Sequence, residues 1–115
     1  MDRSRTLKPN HMFSRVIQKG RSASSATVAL YALANYRKAA PTLIGVSASA
    51  KLGGAVKRNR AKRIVRAAAG GLYGQLRPGW LIIAIARAPC FDPLTKSDRV
   101  ARDMRYALSK LGLLK

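Results

Sequence analysis

The sequence predicts an α+β two-layer sandwich, with elements in the order helix, strands, helix, strand, helix. Three observations carry that prediction. Apolar residues recur at helical spacing in segments near the start, the middle and the end of the chain. Between them stand shorter stretches that alternate or run apolar at strand length. One helical segment lies between two strand-like ones, which calls for at least one parallel β-α-β unit. The 115 residues, 48% of them hydrophobic, suit one domain with one core and are too few for two.

Residues 1–9, "MDRSRTLKP", read as a basic flexible arm. Asn10 is placed to cap a helix running to Lys19, and Gly20 to stop it. Met12, Phe13, Val16 and Ile17 form its apolar stripe, and His11 reads as a surface residue without a partner. "RSASS" is a turn or a short edge strand. Thr27 to Asn35 alternates as a strand, with Val28, Leu30 and Ala32 facing one way and Ala29, Tyr31 and Leu33 the other. "YRKAAP" then reads as a basic connection of hairpin type, leading to a second strand from Thr42 to Ser49. Gly53-Gly54 breaks the chain before a basic helix, Ala55 to Ala69, whose far end Gly70, Gly71 and Gly74 obscure. "RPG" is a turn. "WLIIAIA", Trp80 to Ala86, is apolar on both faces and predicts a central strand covered on at least one side. "RAPCFDP" is loop. Thr95-Lys96-Ser97-Asp98 resembles a capping box with Asp in place of Glu. The last helix carries Val100, Met104, Ala107, Leu108 and Leu111 as its stripe.

The charge is lopsided: 23 Lys plus Arg stand against 4 acids, formally +19. Such a chain repels itself, and a polyanionic partner relieves the repulsion. Nucleic acid is the first candidate and an anionic membrane surface the second. The run Trp80 to Ala86 is far shorter than the roughly 18 residues of a membrane span. Cys90 is the only cysteine, which excludes an intramolecular disulfide or a cysteine-based metal site and fits a reducing, cytoplasmic setting. The first 25 residues are Arg- and Ser-rich like an organelle transit peptide, but the rest of the chain shares that bias.

The stretch "GGAVKRNRAKRIVR" concentrates the problem. At 100° per residue, Ala61, Ile64, Val65 and Ala68 face the sheet. Lys62, Arg63 and Arg66 fall opposite, with Arg58 and Arg60 on the flanks. A solvated helix laced by i,i+4 ion pairs needs carboxylates, and this one has none. Lys57, Arg58 and Arg60 crowd the N-terminal end, where each positive charge costs about 0.3–1 kcal/mol against the helix dipole. The same end suits a phosphate, so a bound anion explains what local stability does not.

"VKRNRAKRIVR", led by Gly53-Gly54-Ala55-Val56, resembles the Arg-Asn-Arg motif of the bacterial ribonuclease P protein subunit. "LKPNHMFSRVIQKG", "GVSASAKLGGAV" and "WLIIAIARAP" are similar to its other segments, so the resemblance covers residues 7 to 110. It implies an α-β-β-β-α-β-α fold with a left-handed crossover through the basic helix, where general chirality would favour a right-handed one. It also implies a small helper of ribonuclease P RNA in removing the 5′ leader of precursor tRNA, with the RNA carrying the Mg²⁺-dependent chemistry. Lys51, Lys57, Arg58, Asn59, Arg60, Lys62, Arg63 and Arg66 would contact the RNA subunit. Phe13, Ile17, Tyr31 and Arg87 would line a cleft for the single-stranded leader, as aromatic faces beside cations suit any sequence. The chain departs from the family pattern at Ile17, where an aromatic is frequent, and at Ala50 and Ala88, where lysines are.

The residues themselves support no protein-borne catalysis. Asp2, Asp92, Asp98 and Asp103 are the only acids; none pairs near the basic helix to hold a metal, and no nucleophile-base pair stands out. No small-molecule substrate is expected. The rival readings are a structural rRNA-binding protein of ribosomal type and a binder of duplex DNA or anionic membrane.

Overall fold

The sheet order follows from which strand has no face to give to water. The computed structural model describes residues 6–7, 11–37 and 39–115. The elements are α1 (His11–Lys19), β1 (Arg21–Ser24), β2 (Val28–Ala34), β3 (Leu43–Ala48), α2 (Ala55–Leu72), β4 (Trp80–Ala86) and α3 (Ser97–Leu111). The strands lie in the order β1-β2-β4-β3. β4 is antiparallel to β2 and parallel to β3, so β3, α2 and β4 make the expected β-α-β unit. In β4, Leu81, Ile82, Ile83 and Ala84 are all buried; a strand apolar on both sides belongs inside a sheet covered on both faces. That corrects the hairpin reading of residues 36–41: β4 lies between β2 and β3. The hairpin is β1–β2, pairing Arg21 with Ala32 through Ser24 with Ala29.

α2 and α3 cover one face of the sheet. Val28, Leu30, Ala32, Ile44, Ile82, Ala84 and Ala86 meet Ala61, Val65, Ala68 and Leu72 of α2 and Val100, Met104, Ala107, Leu108 and Leu111 of α3 in one cluster. α2 runs past the predicted Ala69, through Gly70 and Gly71, to Leu72. Each glycine costs about 1 kcal/mol in a helix, and burial of Ala69 and Leu72 offsets the two. The capping box does not form. Lys96 precedes the first turn of α3 with no side-chain cap, and the buried Thr95 hydroxyl instead donates to the Pro89 carbonyl at 2.6 Å. That carbonyl belongs to a 3-10 turn, Ala88–Phe91, where a loop was expected. α3 ends at Gly112, φ +72°, with Leu113 N–H bonded to Leu108 O at 3.1 Å, a left-handed cap that tucks Leu113 into the core.

α1 covers part of the other face. Val16 packs with Leu7, Leu81 and Ile83, and Met12, Phe13 and Tyr31 lie at the rim of that cluster. Leu7 is buried, its N–H bonded to Ile44 O at 3.0 Å, and Thr6 bridges to Ile44; these two residues of the expected arm are therefore held against β3. Residues 1–5, 8 and 9, the Asn10 cap and the His11 side chain lie outside the described residues. Gly20 lets α1 close on β2: a Cβ there would stand 2.5 Å from Val16 O and 2.7 Å from Ala32 O. Both are backbone atoms, so Gly20→Ala must lift the end of α1. We expect a loss of about 1–3 kcal/mol, read as a lower urea midpoint at unchanged m; an unchanged midpoint would show that α1 is not seated as described.

Candidate nucleic-acid interface

The two faces of the sandwich present two different surfaces. The first is the outer side of α2. Its predicted inner positions Ala61, Val65 and Ala68 are buried, which turns the opposite side to solvent. Val56, Asn59, Arg60, Arg63 and Arg66 line one groove of about 540 Å³. Asn59, Arg63 and Arg66 are exposed, as are Lys51 and Lys57 near the start of the helix. Arg58 and Lys62 are half-buried and, by the 100° step, lie on the flank away from Arg60. Lys62 is thus less outward than the helical wheel suggests. Gly54 stands just before the helix and offers no side-chain cap, so the first N–H groups remain available to an anion.

Arg60 differs from its neighbours. Its guanidinium donates to three backbone carbonyls, Asp92 O at 3.1 Å, Pro93 O at 2.9 Å and Thr95 O at 3.0 Å. It clamps the loop before α3 onto α2, so this flank cation is engaged by the fold itself. Other arginines are engaged in the same way: Arg21 with Leu111 O, Arg77 with Leu114 O and Arg87 with Ser25 O. By contrast, the Arg63 and Arg66 side chains have no hydrogen-bond or ion-pair partner among the described residues. The cations that hold the fold are therefore separable from those that no described residue engages.

The second surface is the sheet face that α1 leaves partly open. The register sets Tyr31 beside Ile83 and Ile83 beside Gly45, with Ala29, Ile85 and Ser47 as the next row. Phe13 fits over Gly45: a Cβ at that position would stand 2.5 Å from the ring's Cε1 and 2.6 Å from Cζ. Phe13 is thus both a packing residue and one wall of a cleft. Tyr31 and Ile85 are half-buried on its floor, and Ile17 is 39% exposed at its edge. Arg87 comes just after β4 but is still extended, with its N–H bonded to Thr27 O at 2.9 Å, so two residues past Ile85 it continues on the same side; it is exposed, with one Nη tied to Ser25 O at 2.9 Å. The structure therefore brings Phe13, Ile17, Tyr31 and Arg87 to one face of the sheet, and the α2 cations to the other layer. Sequence reasoning missed Gly45, which seats Phe13, and Ile85, which completes the floor. The two-residue period of a strand puts Ile85 on the same side as Ile83, but nothing local marks Gly45.

Among the described residues no group of three or more His, Cys, Asp or Glu is placed to hold a metal ion. Burial pushes the Cys90 thiol pKa up, and its S–H donates to Thr27 O at 3.1 Å, a structural role rather than a nucleophile's. No helix of the described residues is long and apolar enough to cross a membrane.

Comparison with known proteins agrees over nearly the whole chain. The family model described as ribonuclease P matches residues 1–112. The chain is 42% identical to the ribonuclease P protein component of Shouchella clausii over 114 residues, 99% of this chain and 91% of that one. It is 38% identical to that of Bacillus cereus, covering 98% of this chain and 96% of the other. The Staphylococcus aureus RNase P protein superposes with a TM-score of 0.80 at 26% identity, over 98% of this chain and 100% of that one. The Thermotoga maritima RNase P protein shares the fold, with a TM-score of 0.76 at 20% identity over 88% of this chain and 92% of that one.

Proposed function

Because the chain belongs to the ribonuclease P protein family, we propose that its two surfaces hold two different RNAs. The chain is the non-catalytic protein subunit of ribonuclease P: it partners the catalytic RNA, and the particle removes the 5′ leader of precursor tRNA. In our reading the RNA subunit sits on α2, where Lys51, Lys57, Arg58, Asn59, Lys62, Arg63 and Arg66 meet phosphates and Arg60 holds the neighbouring loop in place. The leader lies in the cleft, stacked on Phe13 and Tyr31 beside the apolar Ile17, with Arg87 at its end. Mg²⁺ is used through the RNA subunit. The whole chain serves as one RNA-binding domain, and the lone buried cysteine suits a cytoplasmic setting.

The single observation that carries this reading is the carboxylate-free α2, whose exposed arginines have no partner among the described residues, set across the sheet from an aromatic cleft. Phosphates attract such a helix without sequence preference, and a flexible strand suits the cleft. The test is reconstitution. The purified chain, free of RNA, should not cleave precursor tRNA. Added to a bacterial ribonuclease P RNA at low Mg²⁺, it should accelerate removal of the leader. A plain rRNA-binding protein would bind without stimulating cleavage, and that outcome would overturn the reading.

A further inference from the structure

The Arg60 clamp joins α2 to α3 at a point where the protein holds more positive charge than its fold uses. The clamped loop runs directly into α3, and beyond it opens a groove of about 580 Å³ lined by Leu94, Lys96, Arg99 and Arg102, with Asp92 and Asp98. Lys96, Arg99 and Arg102 are exposed and have no hydrogen-bond or ion-pair partner among the described residues. Farther along, Tyr106 is 54% exposed, with the Lys110 ammonium 4.8 Å from its ring centroid. Residues 99, 102, 106 and 110 follow one another by three or four, a single stripe on one helix.

The acids nearby form no ion pair with that stripe among the described residues. Asp92 accepts the Leu94 N–H at 2.9 Å, and Asp103 accepts the Thr27 hydroxyl at 2.7 Å; both carboxylates are engaged by the protein's own donors. Asp98 is the groove's other acid, and neither it nor Asp92 forms an ion pair among the described residues. Leu94 is 84% exposed at the top of the loop, an apolar surface that a ribose or base edge would cover and that a free phosphate would not use.

We propose that the outer face of α3, from Lys96 to Lys110, is a second binding site for the phosphodiester backbone of the RNA subunit, continuous with the α2 groove around the Arg60-clamped loop. It rests on the reading of α2 as the RNA-subunit face and extends that reading to a two-helix grip. Arg99 and Arg102 contact phosphates, and Leu94 covers a sugar or base between the two helices.

Binding of the full chain to ribonuclease P RNA, titrated over a range of salt, tests this. Arg99→Ala with Arg102→Ala should weaken binding about thirtyfold and lower the slope of log K against log salt by about 1.4–1.8, with the thermal midpoint unchanged. Asp98→Asn should tighten binding, a direction that misfolding does not produce. Arg63→Ala with Arg66→Ala, on α2, is the reference. If the α2 pair loses affinity and the α3 pair does not, the α3 site is wrong and the α2 reading stands. If neither pair loses affinity, the α2 reading fails as well. If the α3 pair leaves RNA-subunit binding intact and weakens only precursor tRNA on the assembled particle, α3 faces the substrate and the proposal is overturned.

Discussion

Replacing Lys57, Arg63 and Arg66 together by Ala lowers affinity for the RNA subunit by roughly a hundredfold, at about 1 kcal/mol per lost charged contact. The slope of log K against log salt falls by about 2–2.7, because three fewer counterions are released. Folding is unaffected: the three side chains are exposed and bond to nothing among the described residues. Stability should if anything rise slightly, since a formal charge of +19 falls by three and self-repulsion eases. Arg60→Ala behaves differently. It leaves the carbonyls of Asp92, Pro93 and Thr95 without the donor they now share, so the thermal midpoint drops along with RNA affinity. The two variants measured side by side by calorimetry and filter binding separate a ligand-facing cation from a structural one. An unchanged midpoint for Arg60→Ala would mean that the clamp is idle; a collapsed midpoint for the triple variant would mean that those cations serve the fold.

What the sequence reveals here is set by distance along the chain. The alternation in β2 assigns Val28, Leu30 and Ala32 to one layer and Ala29, Tyr31 and Leu33 to the other, and the sheet agrees. The two-sided apolar run of β4 predicts a central strand, and the carboxylate-free pattern of α2 predicts a face for an anion. Those signals are local. The errors are non-local. The eight residues between β2 and β3 look like a hairpin connection until β4, far downstream, competes for the space between the two strands, with β3 as its parallel neighbour on one side and β2 on the other. Thr95 has the chemistry of a cap, but the Pro89 carbonyl, six residues away, takes its hydroxyl. Arg60 reads as one more outward cation because its acceptors lie 32 to 35 residues on. Gly45 reads as a gap in a strand, and only the closed fold shows that a phenyl ring needs the room. The α2 cations were therefore legible in advance. The clamp, and the seat of Phe13, depended on packing.

Tyr31→Ala should separate the two RNA surfaces. The ring stands on the open face of β2, half-buried, between Ser22 and Ile83 in the register, and far in the layer from α2. Stacking on an aromatic face is worth about 1–3 kcal/mol per base, so the assembled particle should bind precursor tRNA roughly 5- to 150-fold more weakly. Mature tRNA, which has no leader, should bind as before, and so should the RNA subunit. Tyr31→Phe keeps the stacking face and should keep the affinity, which separates the ring from its hydroxyl. Ala88→Lys acts in the opposite sense. Ala88 is exposed next to Arg87, and a lysine there adds a cation beside the leader's phosphates, tightening precursor binding at low salt and less so at high salt. Both affinities are measured on the same particle, with and without a leader on the tRNA. Equal losses for precursor and mature tRNA on Tyr31→Ala would mean that the ring supports the α1 core, through its neighbours Phe13 and Val16, and that the leader takes another path.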